Sequence, residues 1–339
     1  MDVADVERES MSSNSADLRV SFLPARELNA AVPHHVPPST LLALGFGAGC
    51  GSSAPAGVPI ACPGLEPTGG GSFFELWSTS GAVTYEQHDG FQTARASGLM
   101  GGTITLQDDP DETLEVRTFD VYCRLFDLLE AARYPHLLRL FNYFPHITSK
   151  FDGFERYQQF SIGRHNAFEA RRRAVAASPA TCAIGSHRGP FTVAFIASPI
   201  PGLALENPRQ ISAYAYPERY GPRSPIFSRA LVARIAGAPK FFLSGTASIV
   251  GHESRHIGDP AAQARETMTN IAAMREQALR KGLPKDRAML FKAYVRRPEF
   301  VEVVKPVIEE HLQQGDQVAF LVADICRPDL LLEIDGASA

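Results

Sequence analysis

Two stretches of the chain repeat apolar side chains at helical spacing, and shorter apolar runs bounded by Gly, Pro and Ser surround each. Phe119, Tyr122, Phe126 and Leu129 fall on one face of the first; Ala264, Met268, Ile271 and Ala278 do so in the second, with Gly282 just past its end. Each helix follows an apolar strand that closes in Ser-Gly, at Ser97-Gly98 and Ser244-Gly245. After each helix the pattern predicts a strand (138–144; 289–295), a second helix (154–168; 300–312) and a closing strand pair. Those pairs are 181–185 with 192–196, and 318–325 with 330–334.

Strand, helix, strand, helix, strand, strand predicts an α+β fold in which a mixed sheet carries both helices on one face. The sheet's other face needs cover, which the second copy and the strands near the N-terminus supply. The expectation is therefore a pseudo-oligomer of two units within one chain. Polar, Ser-rich residues 1–17 read as a disordered lead-in, 18–200 as the N-terminal unit with extra strands, and 205–339 as the C-terminal unit. Gly and Pro cluster over 46–72, which reads as loop with short strands at most.

Bulk chemistry narrows the function classes. Of 339 residues 45% are apolar and 21% charged, ordinary for a globular protein with a large core, and the net charge of −4 leaves no basic excess for nucleic acid. Arg171-Arg172-Arg173 reads as the solvated end of the preceding helix. No apolar run reaches membrane length, and the acidic N-terminus with Asp2, Asp5, Glu7 and Glu9 is no signal peptide. The five Cys form no CxxC pair and fit reduced thiols, so a cytoplasmic location is expected.

Residues 252–256 spell H-E-x-x-H, the zinc-protease pattern, which needs His252 and His256 on one helical face with Glu253 as base. The flanks oppose that helix. Residues 241–250 have strand composition, Gly251 interrupts them, and Asp259-Pro260 marks a helix starting after the pattern. The expectation is a polar loop, with no metal and no cofactor.

The second copy resembles a RidA/YjgF subunit. The residues that carry this are Gly221-Pro222-Arg223-Ser224, Phe242-Leu243-Ser244-Gly245, Gln263, Thr267, Asn270-Ile271 and Leu332-Glu333-Ile334. Over about residues 20–338 the chain resembles the chorismatases, through Ser97–Thr103, Asn142-Tyr143, Tyr157 with Gly163-Arg164, 207–214, 220–225 and 244–251. RidA deaminases use an Arg in the penultimate strand; here 318–321 and 181–183 lack it, and only the second copy keeps the Glu, at Glu333. That asymmetry implies one working pocket at the boundary between the copies.

The resemblance implies an enzyme that takes chorismate and releases pyruvate. Protonating the enol-ether methylene needs a positioned acid, and a carboxyl serves at neutral pH when burial raises its pKa. Glu333, in the apolar run 330–334, is the candidate. The competing reading is a Glu on the outward face of an edge strand. Arg164, Arg223 and Arg229 with Tyr157, Tyr216 and Tyr220 are the candidates to hold the two carboxylates, since Arg offers a bidentate fork. Arg223 takes the place of a pocket Tyr in RidA-like proteins, and Tyr157 and Arg164 lie two helical turns apart. Gly245 and Cys326 resemble the branch of the family that forms 3-hydroxybenzoate by intramolecular attack of the ring hydroxyl. There the Gly leaves space beside the ring and the thiol relays a proton. The hydrolytic branch, giving a dihydroxycyclohexadiene carboxylate, and a non-catalytic module binding small carboxylates are the alternatives. A monomer with internal pseudo-symmetry is expected.

Overall fold

The computed structural model describes residues 17–25, 37, 39–48, 50, 57–96, 98–107, 109 and 112–339; the lead-in expected over 1–17 lies, except for Asp17, outside the described residues. Strands β1 (Leu18–Pro24), β2 (Thr40–Phe46) and β3 (Phe73–Thr79) form an N-terminal sheet with β3 central and Ile60–Ala61 at the far edge of β2.

The first unit runs β4 (Thr84–His88), β5 (Phe91–Ala96), β6 (Leu99–Leu106), α1 (Leu114–Ala132), β7 (His136–Pro145), α2 (Arg156–Ala170), β8 (Ala180–Ser186) and β9 (Phe191–Ser198). The second runs β10 (Leu203–Leu205), β11 (Ala230–Ile235), β12 (Ala238–Thr246), α3 (Pro260–Leu279), β13 (Met289–Val295), α4 (Val301–Glu310), β14 (Gln317–Val322) and β15 (Leu332–Ser338). The sheet orders, β8-β7-β9-β6-β5-β4 and β14-β13-β15-β12-β11-β10, match position for position, the second sheet adding Glu66–Pro67 beyond β14. In each, the pair carrying a crossover helix is parallel (β7/β8; β13/β14) and every other pair antiparallel. The two-unit expectation is met.

Local signals placed the helices. Asp259 Oδ1 accepts from the Ala262 amide at 2.9 Å and Pro260 follows at the first helical position, so α3 starts after the H-E-x-x-H segment. Glu155 and Gln158 form a capping box at the start of α2. Each helix pair covers one sheet face, over Leu140, Phe144 and Phe195 in one unit and over Phe241, Phe291 and Ile334 in the other. The opposite faces meet the N-terminal sheet in a shared core containing Leu42, Trp77, Phe141, Phe242 and Tyr294. The single Trp of the chain, Trp77, reaches the rings of Phe141 at 5.8 Å and Phe242 at 6.0 Å, joining three sheets.

Three expectations need correction. Phe119 is 39% exposed, since α1 turns Val121, Tyr122, Leu125 and Phe126 inward instead. The two Ser-Gly pairs are not equivalent. Ser97 lies outside the described residues, and Gly98 (φ +78°) sits in the β5–β6 hairpin, the place Gly237 holds in the second unit, whereas Gly245 is inside β12. The last two strands differ from 318–325 and 330–334: the first is shorter and the second runs later. Strand β14 ends at Val322 because β13, its partner, ends at Val295. Arg296 then holds the intervening loop by donating to the carbonyls of Ile325, Arg327 and Leu330. Arg171-Arg172-Arg173 does follow directly on the end of α2, with Arg171 and Arg172 exposed, and Arg171 and Arg173 pair with Asp127 and Glu130 on α1.

Candidate active site

The units meet where edge strand β8 reaches the second sheet. Gly185 and Asp324 exchange both backbone hydrogen bonds at 2.8 Å, and Ser244 Oγ accepts from the Thr181 amide at 2.8 Å. Beside this seam lies a cavity of about 420 Å³, large enough for a small carboxylated ring compound. Helix α2 supplies Tyr157 and Arg164, the segment before β11 supplies Tyr216, Tyr220, Arg223 and Arg229, and β12 supplies Gly245. Cys326 comes from the loop after β14, and Glu333 from β15. All nine residues singled out in the sequence line this one cavity.

Glu333 reaches it through an irregularity. The pairing of β12 with β15 runs from Leu243↔Gly336 to Thr246↔Ile334, so Ser244 and Gly245 bulge opposite Asp335. A Cβ built on Gly245 would overlap Glu333 Oε1. The space left by the glycine is therefore filled by the carboxyl of Glu333, not kept open beside a ligand as expected. Glu333 is 6% exposed, and none of the described residues hydrogen-bonds its carboxylate. Burial, then the nearby charge of Asp335, pushes it up to about 8 against the pull of Arg139 and Arg229. That direction favours the protonated, neutral form at pH 7. The Cys326 thiol beside it is pushed up to about 12 by burial and by Glu333, so it stays protonated.

Five guanidinium groups line the cavity (Arg164, Arg219, Arg223, Arg229, Arg327) against three carboxyl groups, Glu155, Asp329 and Glu333. Arg164 is 3% exposed, and its Nε and Nη2 have no hydrogen-bond partner among the described residues. Its guanidinium lies 5.1 Å from the Tyr122 ring and 5.6 Å from that of Phe168. A buried cation with idle donors is costly unless an anion completes it. Arg229 donates from Nη2 to Tyr216 Oη at 2.8 Å and to the Ile211 carbonyl at 2.7 Å, leaving Nε free. Arg223 differs. It stands at the mouth, 44% exposed, 3.8 Å from Glu169.

Arg327, Arg219 and Cys182 also line the cavity and were missed. The Arg327 guanidinium stacks 4.0 Å from the centre of the Tyr220 ring and donates to the His252 carbonyl at 2.9 Å, pinning the rim. Its position directly after Cys326 was the available signal. Cys182 occupies the first unit's copy of the strand where the deaminase Arg was sought.

The H-E-x-x-H segment forms no helix. Ile249–Val250 and Glu253–Ser254 pair as a tight hairpin, and His256 has φ +55°. His252 Nδ1 lies 2.9 Å from Arg219 Nη2, whereas His256 faces Glu266 at 3.3 Å. Among the described residues no group of three or more His, Cys, Asp or Glu is arranged to hold a metal. No helix among them is long and apolar enough to cross a membrane.

Known proteins resemble this chain over most of its length. The family described as "Chorismatase FkbO/Hyg5-like, N-terminal" matches residues 75–197. A chorismatase of Streptomyces rapamycinicus is 39% identical over 278 residues, covering 79% of this chain and 83% of the relative. A 3-hydroxybenzoate synthase of Streptomyces hygroscopicus is 33% identical over 293 residues, covering 82% and 84%. The crystal structure of a chorismatase superposes with a TM-score of 0.87 at 29% identity, covering 97% of this chain and all of the other.

Proposed function

The chain belongs to the chorismatase family, and from that premise we propose that it converts chorismate to 3-hydroxybenzoate and pyruvate with Glu333 as the general acid. It is an enzyme acting on chorismate; the product and the residue roles are the proposal.

The observation that carries the reading is the buried, neutral carboxyl of Glu333 seated against Gly245 at the wall of a cationic cavity. Chorismate brings two carboxylates. The idle donors of Arg164 fit one, and Nε of Arg229 is free for the other, with Tyr157, Tyr216 and Tyr220 closing the walls. Glu333 delivers its proton to the enol-ether methylene, which becomes the methyl group of pyruvate. The ether oxygen leaves with pyruvate as its carbonyl. The ring hydroxyl attacks the neighbouring ring carbon as that carbon's bond to the ether oxygen breaks, and the three-membered ring so formed opens at the carbon that first bore the hydroxyl. Of the hydroxyl proton and the proton shed on aromatisation, one stays on the phenol and the other restores the acid, with the neutral thiol of Cys326 beside it as relay. The atoms of chorismate divide between the two products, and no water is consumed.

Incubation with chorismate in ¹⁸O-water tests this. The expected result is equimolar pyruvate and 3-hydroxybenzoate, the aromatic product free of solvent oxygen. A dihydroxycyclohexadiene carboxylate in place of 3-hydroxybenzoate, whichever product carries the solvent oxygen, would move the enzyme to the hydrolytic branch, and no pyruvate at all would leave a binding module.

A further inference from the structure

We propose that Asp335 is a positioning residue for the reaction: a fixed negative charge behind Glu333 that keeps the acid's proton in place. The proposal rests on Glu333 acting as described above.

Along β15, Leu332 and Ile334 face the helices, while Glu333 and Asp335 share the opposite face. Asp335 is fully buried. It is paired with Arg139 Nη2 at 2.6 Å and Lys292 Nζ at 3.0 Å, and the Tyr294 hydroxyl donates to it at 3.2 Å. Lys292 also reaches Glu75 Oε2 at 2.5 Å, and Trp77 Nε1 donates to the other Glu75 oxygen at 3.0 Å. Two carboxylates and two cations thus balance inside the core. Within this cluster no spare positive charge is left over to ionise Glu333, and the charge nearest along its own strand face is negative.

Ionisable groups face Glu333 from every side. They are Asp335 on its own strand, Arg139 on β7, Cys182 on β8, Tyr157 on α2, Arg229 ahead of β11, and Cys326 on the loop before β15. Of these only Asp335 is a carboxylate. Arg139 acts in the opposite sense while donating to the Leu243 carbonyl at 2.9 Å, beside the bulge that holds Gly245. A clip joining the three sheets would need the same ion pairs but would not set the acidity of Glu333, and that difference is measurable.

The test is ¹³C NMR of the full-length protein labelled at Glu side-chain carboxyls, with the Glu333 signal assigned by its loss in Glu333→Gln. Glu333 is expected to titrate well above the ordinary Glu value, and Asp335→Asn to lower its midpoint by about one pH unit or more. Arg139→Gln is expected to raise it, since opposite signs are not a consequence of general damage. The alkaline limb of kcat should move with the midpoint in each variant. A wild-type midpoint below about pH 6 overturns the proposal without any variant. So does a folded Asp335→Asn with an unchanged midpoint, or shifts of one sign in both variants. If the NMR midpoint moves and the kcat limb does not, the charge effect of Asp335 stands and the acid assignment of Glu333 falls.

Discussion

Gly245 and Glu333 share one space: the carboxyl of Glu333 lies where a side chain on residue 245 would be. Gly245 does not have the positive φ that demands glycine, so the constraint is close approach and not backbone strain. Gly245→Ala should therefore fold, displace Glu333, slow pyruvate release and lower the share of 3-hydroxybenzoate among the products. Chromatography of the products beside a thermal melt checks this. Unchanged rate and product ratio would mean that the carboxyl position is immaterial.

Glu333→Gln keeps the shape and removes the proton, so kcat should fall about 100-fold or more with KM little changed. In the wild type, kcat should be flat through neutral pH and decline as pH rises through about 8, where Glu333 loses its proton. Steady-state kinetics from pH 5 to pH 10 reads both effects.

The same carboxyl bears on stability. Its folded pKa, about 8, exceeds the unfolded value near 4.3, so the folded protein retains a proton that the unfolded chain has released. The stabilisation is full below about pH 4 and is lost progressively until pH passes about 8, with an upper limit of roughly 5 kcal/mol. Glu333→Gln should thus melt above the wild type at pH 9 and close to it at pH 5. Calorimetry at the two pH values decides, and a gap independent of pH would contradict the burial argument.

Arg164 and Arg223 should not be equivalent. Arg164→Ala removes a buried fork with idle donors, and kcat/KM should drop roughly ten- to hundredfold. Arg223 is exposed and already near Glu169, so Arg223→Ala should cost under about tenfold, more at low salt than at high. Kinetics at two ionic strengths would expose an inverted order.

Cys326→Ala should leave chorismate consumption largely intact while lowering 3-hydroxybenzoate relative to other products. A thiol pushed up to about 12 is a neutral donor or relay and not a nucleophilic thiolate. If Cys326 only fills space, the melting temperature falls and the product ratio stays put.

The sequence by itself determined the double unit, its helix starts and its chemical inventory. Asp259-Pro260 caps α3 whatever surrounds it, and the period of Ala264, Met268, Ile271 and Ala278 sets which face is buried, because both signals act within a few residues. The nine candidate residues were legible because their residue types and motif blocks could be matched one by one. Other features depended on partners far along the chain. The solvent side of Phe119 depends on what α1 packs against, and the length of β14 on where β13 stops. Above all, the setting of Glu333 depends on a bulge in β12 that places Gly245 against it, and on a fold that brings Arg139 and Lys292 from separate stretches onto Asp335, with Glu75 on the far side of Lys292. Burial and charge at a point are sums over everything near it in space, and a sequence lists only what is near along the chain.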